Sequence, residues 1–144
     1  MERNRKKITV LGSANLDTFL FVDRMPDIGE TISADNMVTS CGGKGANQAV
    51  TIGKLGYDCD FVGQVGNDSA GKTIVEEMRK YNVNVDSIKI ISHVPTGQAF
   101  VFSFKNKNNS IILSGGANTE WKENNFSELS ESLAKSMIIN IIIE

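Results

Sequence analysis

The sequence predicts an α/β fold with a mainly parallel central sheet, flanking helices and a second, smaller sheet. Short apolar runs such as Ile8–Leu11 alternate with segments of helical periodicity. The run Met137–Ile143 is almost continuously apolar, which is typical of a central strand covered on both faces. Two hairpin-like regions, near 18–40 and 98–114, interrupt the alternation and are expected to form the small sheet.

Each element has its own local signal. In the segment Ser69–Tyr81, Ile74, Val75 and Met78 recur at helical spacing, and Asp68 before it is expected to cap the helix. Gly56 is a helix stop signal. Helices are predicted at Gly45–Leu55, Ser69–Tyr81 and Phe126–Ala134. Strands are predicted at Ile8–Leu11, Thr18–Val22, Thr31–Ser40, Asp60–Val65, Val85–Ile91, Gln98–Lys105, Ser110–Ser114 and Met137–Ile143.

Composition and charge narrow the class of protein. The 144 residues are 40% hydrophobic and 22% charged, as in a soluble globular domain. A net charge of −2, with one basic cluster at Arg3–Lys7, argues against a nucleic-acid partner. No apolar stretch has the length of a membrane span or the layout of a signal peptide, so a cytoplasmic location is expected. Cys41 and Cys59 are too few for a disulfide framework or zinc site and are expected to be buried thiols.

The strongest functional signal is the run Gly42-Gly43-Lys44-Gly45-Ala46-Asn47-Gln48-Ala49. Adjacent glycines let the backbone approach a ligand and expose N–H groups at the start of a helix. The amide of Asn47 lies in the first helical turn, where it can donate and accept. The glycines alone are equally consistent with a ligand-binding loop and with a purely structural loop that begins a helix.

The wider pattern resembles the N-terminal signature of the ribokinase family of carbohydrate kinases. Its motifs are Gly12-Ser13-Ala14-Asn15-Leu16-Asp17, Pro26-Asp27-Ile28-Gly29-Glu30-Thr31, the glycine-rich run above, Gly63-Gln64-Val65-Gly66-Asn67-Asp68-Ser69-Ala70-Gly71, Thr96-Gly97 and Gly115-Gly116-Ala117-Asn118. Lys44 and Gln48 make the match specific within that family. The resemblance runs from Ile8 to Glu144.

The resemblance implies a sugar site and a lid. Asn15 and Asp17 would hydrogen-bond the hydroxyls of D-ribose. The two hairpin regions would form a β-lid that covers the sugar and pairs with the lid of a second subunit, giving a homodimer. The remaining implied contacts are Gly43, Lys44, Gly45, Ala46 and Asn47 on the other side of the sugar, Glu144 on a hydroxyl, and Ala99 and Ile112 as apolar contacts.

The implied activity is ATP-dependent phosphorylation of D-ribose at O5, with Mg²⁺ and a monovalent cation such as K⁺. Another sugar kinase of the family, such as a deoxyribokinase, is the alternative within it. The family's catalytic Gly-Ala-Gly-Asp motif is absent from the 144 residues. The chain is therefore expected to be the N-terminal, sugar-binding portion of the enzyme and inactive alone, without catalytic, ATP-binding or metal residues of its own.

Two alternatives lie outside the family. Gly66–Thr73 satisfies the P-loop pattern G-x-x-x-x-G-K-[ST], which predicts a nucleotide hydrolase. However, Asp68 would place a carboxylate inside a loop that wraps phosphate, so Lys72 is interpreted as a solvated helix residue. The second alternative is a non-catalytic sugar-binding or dimerising module.

Overall fold

The computed structural model describes residues 7–122, positions 130 and 133, and the strand at 138–141. The predicted helix Phe126–Ala134 lies almost entirely outside these residues. The described elements are β1 (Ile8–Leu11), β2 (Asn15–Val22), β3 (Asn36–Gly42), α1 (Lys44–Lys54), β4 (Cys59–Gly66), α2 (Ser69–Lys80), β5 (Val83–Asn84), β6 (Ile88–Ile91), β7 (Gly97–Phe104), β8 (Asn109–Ser114), a 3₁₀ turn (Gly116–Thr119) and β9 (Ile138–Ile141).

The main sheet is parallel, as predicted. Its strand order is β5-β4-β1-β9, and β6 also pairs with β4. Every residue of β4 is buried, and all but Asp60 and Gln64 are apolar or small, as expected of a strand covered on both faces. Helices α1 and α2 cover one face, and the core between them and the sheet contains Val10, Ala46, Ala49, Phe61, Val65, Ile74 and Met78.

The two hairpin regions form a separate four-stranded sheet, as predicted, and we call this sheet the lid. Its order is β3-β2-β7-β8, with β2 and β7 parallel in the centre and antiparallel pairs on the outside. The parallel centre arises because β2 and β7 belong to different hairpins and both leave the main sheet in the same direction.

Three strands begin three or more residues away from their predicted starts, two because of strand pairing and one because of a turn. Strand β2 begins at Asn15, three residues early, because Asn15 pairs with both Gly42 and Gly97. Strand β3 begins at Asn36, where its pairing with β2 starts. The strand predicted at 85–91 begins only at Ile88, because the Asn84 side chain accepts a hydrogen bond from the N–H of Asp86 at 3.1 Å and makes a turn there.

The two helices match their signals except at one residue. Asp68 caps α2 by accepting a hydrogen bond from the N–H of Gly71 at 2.8 Å, which confirms the predicted cap. Gly56 follows α1 with a φ of 80°, as a stop signal requires. The helix predicted to end at Leu55 ends at Lys54, and Leu55 is 69% exposed. Within the described residues, no helix is both long and apolar enough to cross a membrane.

Candidate functional site

The first three residues of strand β2 include the two polar residues that the motif singled out. Asn15 and Asp17 are two positions apart, so their side chains lie on the same face of the lid. Asp17 is flanked in register by Ser40 of β3 and Ala99 of β7. Because β1 ends at Leu11, this face begins at the carboxyl edge of the main parallel sheet, where α/β proteins commonly bind ligands.

The two glycines of the motif make room for this arrangement. A Cβ on Gly42 would overlap the carboxylate of Asp17, so the carboxylate lies directly against that backbone. Gly43 has a φ of 90°, and a Cβ there would lie 2.7 Å from the carbonyl oxygen of Ser13. Only glycine combines this backbone conformation with so close an approach.

The first turn of α1 follows directly and divides into exposed and packed residues. Lys44 and Asn47 are exposed, whereas Gly45 and Ala46 are buried against the turn between β1 and β2. The N–H of Ala46 donates to the carbonyl oxygen of Ser13 at 3.0 Å, so Ala46 supports the loop rather than offering a donor. No side chain caps this helix, and its positive end therefore lies beside Gly43 and Lys44.

The register of the lid separates the two apolar residues expected to share one sugar-facing surface. Ala99 pairs with Asp17 and with Leu113. Ile112 pairs with Phe100 and therefore lies on the opposite face. Because side chains alternate along a strand, Leu113 rather than Ile112 lies on the same face as Ala99 and Asp17.

Glu144 lies outside the described residues. The strand that precedes it, β9, runs parallel to β1, with Ile141 beside Leu11. The backbone of β9 therefore ends at the same sheet edge from which the chain enters Asn15.

Two buried polar contacts were not found from the sequence, because both join segments far apart in the chain. Asn118 of the 3₁₀ turn donates from Nδ2 to Oδ1 of Asn15 at 2.7 Å and also contacts the backbone of Ala14. Thr96, before β7, donates from its hydroxyl to Oδ1 of Asp68 at 2.6 Å. Thr96 and Asn118 both belong to motifs named in the sequence, but those motifs did not predict a contact for either side chain.

The structure contradicts the P-loop alternative. The Asp68 carboxylate accepts hydrogen bonds from Gly71 and from the N–H and hydroxyl of Thr96, so it fills the loop that a phosphate would occupy. Burial opposes its ionisation, but these hydrogen bonds outweigh burial and lower the pKa of Asp68. The carboxylate is therefore anionic at neutral pH and would repel a phosphate. Lys72 is exposed on α2, as predicted.

Within the described residues, the two cysteines and the histidine show no feature of a catalytic group. Cys59 is buried and Cys41 half-buried, and neither forms a disulfide. Burial, with a smaller contribution from Asp60, raises the pKa of the Cys59 thiol to about 11, and burial also raises that of Cys41. Within the part of the chain that the structure describes, no group of three or more metal-ligating side chains is found. His93 is exposed and lies 3.0 Å from Glu120.

Fold and site together define an α/β protein in which a small sheet covers a polar site at the carboxyl edge of a parallel sheet. The chain belongs to the pfkB family of carbohydrate kinases, whose model matches residues 5–142.

Individual relatives agree with this family. The chain is 37% identical to the ribokinase of Dictyostelium discoideum over 139 residues, covering 96% of this chain and 43% of the relative. It is 44% identical to the ribokinase of Arabidopsis thaliana over 119 residues, covering 81% of this chain and 31% of the relative. A solved structure of Arabidopsis thaliana ribokinase complexed with ribose and ATP superposes with a TM-score of 0.88 at 38% identity, covering 95% of this chain and 45% of that one. The chain therefore spans less than half the length of these relatives.

Proposed function

We propose that the protein is an ATP-dependent kinase that phosphorylates D-ribose at O5, and that this chain supplies the sugar-binding part. The observation that carries the proposal is the pair Asn15 and Asp17 on the inner face of the lid, beside the uncapped start of α1. A carboxylate accepts hydrogen bonds from two hydroxyls, and an amide both donates and accepts, which suits a polyhydroxylated ligand. The ribokinases that the chain resembles support ribose as that ligand.

The proposed contacts surround the sugar from several segments. Asp17 and Asn15 bind hydroxyls from the lid, and Lys44 and Asn47 reach the sugar from the exposed side of α1. Gly43 and Gly45 contribute backbone, and Ala46 supports that backbone. Ala99 and Leu113 give the lid face an apolar surface next to Asp17. Glu144 is proposed to hold a further hydroxyl.

The phosphoryl-transfer residues are proposed to lie outside residues 1–144. ATP, Mg²⁺ and an activating K⁺ would bind there, and this chain would act by holding the acceptor hydroxyl in place. Phosphoryl transfer depends largely on such positioning and on charge stabilisation. A cytoplasmic location is also proposed, and the free thiols of Cys41 and Cys59 are compatible with a reducing compartment.

A homodimer through the lid is proposed on the basis of an apolar row across its four strands. This row consists of residues that are neighbours in register: Val38, Phe19, Val101 and Ile111. It lies on the same face as Asp17, two residues further along each strand. Val38 is 45% and Ile111 58% exposed, which is unusual for large apolar residues in one row. The inner half of this face would cover the sugar, and the outer half would pack on a second copy.

Analytical ultracentrifugation tests the dimer. Ile111→Glu should shift the full-length protein towards the monomer, whereas Ile90→Glu, an equally exposed position on the main sheet, should not. Equal behaviour of both variants, or a monomeric wild type, would contradict the lid dimer.

Steady-state kinetics tests the sugar site. With ADP release as the readout, the full-length protein should use ribose more efficiently than deoxyribose or fructose. Asp17→Asn should lower kcat/KM for ribose by roughly 2–4 kcal/mol, about 30- to 900-fold, because charged hydrogen bonds contribute about 1.5–3 kcal/mol each. The KM for ATP should stay unchanged, and the exposed control Asp86→Asn should have no effect.

The outcomes distinguish the alternatives. A preference for deoxyribose would indicate a deoxyribokinase, and sugar binding without any turnover would indicate a non-catalytic module. A change in kcat/KM for ribose of less than about threefold in Asp17→Asn would remove Asp17 from the site.

A further inference from the structure

Asn118 is joined to the candidate site by three hydrogen bonds. Its Oδ1 accepts from the N–H of Ala14 at 3.0 Å, and its Nδ2 donates to the carbonyl oxygen of Ala14 at 3.2 Å. The same Nδ2 donates to Oδ1 of Asn15 at 2.7 Å. The two residues are 103 positions apart, so the contact is purely tertiary.

These bonds determine which way the amide of Asn15 faces. The N–H of Ala14 can only donate and its carbonyl can only accept, so Asn118 has a single compatible orientation. Nδ2 of Asn118 must then meet an acceptor on Asn15, which is Oδ1. Nδ2 of Asn15 consequently lies on the other side of its amide, and within the described residues it donates to no partner. Asn15 is only 3% exposed, so its amide lies in a nearly closed position at the start of the lid.

We propose that Asn118 is a positioning residue that presents Asn15 to the sugar as a hydrogen-bond donor. This inference rests on the proposed function. Asp17, one step along the same face, is an acceptor-only group when ionised. The site therefore offers one donor and one acceptor side by side. A hydroxyl oxygen accepts from Asn15, and a hydroxyl proton is donated to Asp17.

The residues around the hydrogen bond between Asn118 and Asn15 hold both side chains in position. Gly97 pairs with Asn15 across the lid, and a Cβ on Gly97 would overlap both Asn118 Nδ2 and Asn15 Oδ1. The 3₁₀ turn is fixed by the N–H of Ala117, which donates to the carbonyl oxygen of Pro95 at 2.8 Å. Asn118 thus reaches Asn15 from a turn anchored to the segment that leads into β7.

The test is Asn118→Asp in the full-length protein. The introduced carboxylate can still accept from Ala14, but it turns an oxygen towards Oδ1 of Asn15. The amide of Asn15 should then reverse and present its oxygen to the sugar. We expect the KM for ribose to rise about tenfold or more, with the KM for ATP changed by less than about twofold. The exposed control Asn108→Asp should leave both KM values unchanged.

A double-mutant cycle separates positioning from a general structural effect. If Asn118 acts through Asn15, then Asn118→Asp in an Asn15→Ala background should raise the ribose KM by less than about twofold further. Independent, multiplicative effects would overturn the proposal. If Asn118→Asp does not fold, Asn118→Ala removes the same donor without adding charge, and the same cycle applies.

The proposed function can fail separately. If the wild-type protein does not phosphorylate ribose, the proposed substrate is wrong. The link between the two asparagines is then tested by the same double-mutant cycle, with the denaturant midpoint of unfolding as the readout. Non-additive midpoints support the link, and additive midpoints overturn it.

Discussion

Thr96→Val removes one buried hydroxyl that joins the start of β7 to the connection between β4 and α2. The hydroxyl donates to Oδ1 of Asp68 at 2.6 Å and accepts from the N–H of Gly66 at 2.9 Å. Thr96 is 1% exposed, and valine has nearly the same shape. The substitution therefore changes hydrogen bonding with little change in packing.

The expected cost follows from the two lost bonds. The N–H of Gly66 is left buried without its acceptor, which costs about 1–3 kcal/mol. The Asp68 carboxylate loses the hydrogen bond from the Thr96 hydroxyl, and a bond to a charged group ordinarily contributes about 1.5–3 kcal/mol. The loss is smaller here because Asp68 is half-buried and water can partly replace the donor. Asp68 also keeps its bonds to the N–H groups of Gly71 and Thr96. We expect the free energy of unfolding to fall by about 2–4 kcal/mol.

Urea unfolding of the full-length protein measures this change. Thr73→Val is the matched control, because its hydroxyl contacts only the carbonyl of Ser69 on the exposed side of α2, and it should cost less than about 0.5 kcal/mol. Thr96→Ser keeps the hydroxyl and should lose only the buried methyl, about 1 kcal/mol. If Thr96→Val were no more destabilising than Thr96→Ser, the hydroxyl would not hold these segments together.

Three further predictions concern the site and its support. Lys72→Ala should leave ATP affinity nearly unchanged, within about 0.5 kcal/mol, because Lys72 is an exposed helix residue; loss of turnover would revive the P-loop hypothesis. Gly42→Ala should displace the carboxylate of Asp17 and raise the KM for ribose about tenfold or more, with the KM for ATP as the internal control. Because the pKa of Asp68 is lowered in the folded state, its contribution to stability is complete above the ordinary value of 3.8 and is lost as the pH falls further. Acid unfolding should therefore be less pH-dependent in Asp68→Asn than in the wild type, and equal pH dependence would contradict the lowered pKa.

Much of the fold could be predicted because its signals are local. Strand β1 was predicted at its observed bounds, and α2 to within one residue, because an apolar run ends at glycine and a helical pattern follows a capping aspartate. The lid was predicted as a separate sheet because its two hairpins break the alternation of strands and helices. The family resemblance supplied Asn15 and Asp17, and the structure brings them onto one face.

The errors arose where pairing, rather than pattern, determines the outcome. Ile112 and Leu113 are adjacent and both apolar, so the sequence could not say which faces Asp17. The register with Ala99 selects Leu113, because a shift of one residue moves every side chain to the other face.

The sequence by itself determined the alternation of strands and helices and the residues at which the helices begin and end. It also showed the glycines that allow the tight connection between β3 and α1. The tertiary structure alone decided the lengths of β2 and β3, the face to which each lid residue belongs, and the contact of Asn118 with Asn15. The physical reason is separation along the chain. A cap or a periodic pattern acts within a few residues, whereas a hydrogen bond between positions 103 residues apart exists only once both sheets have formed.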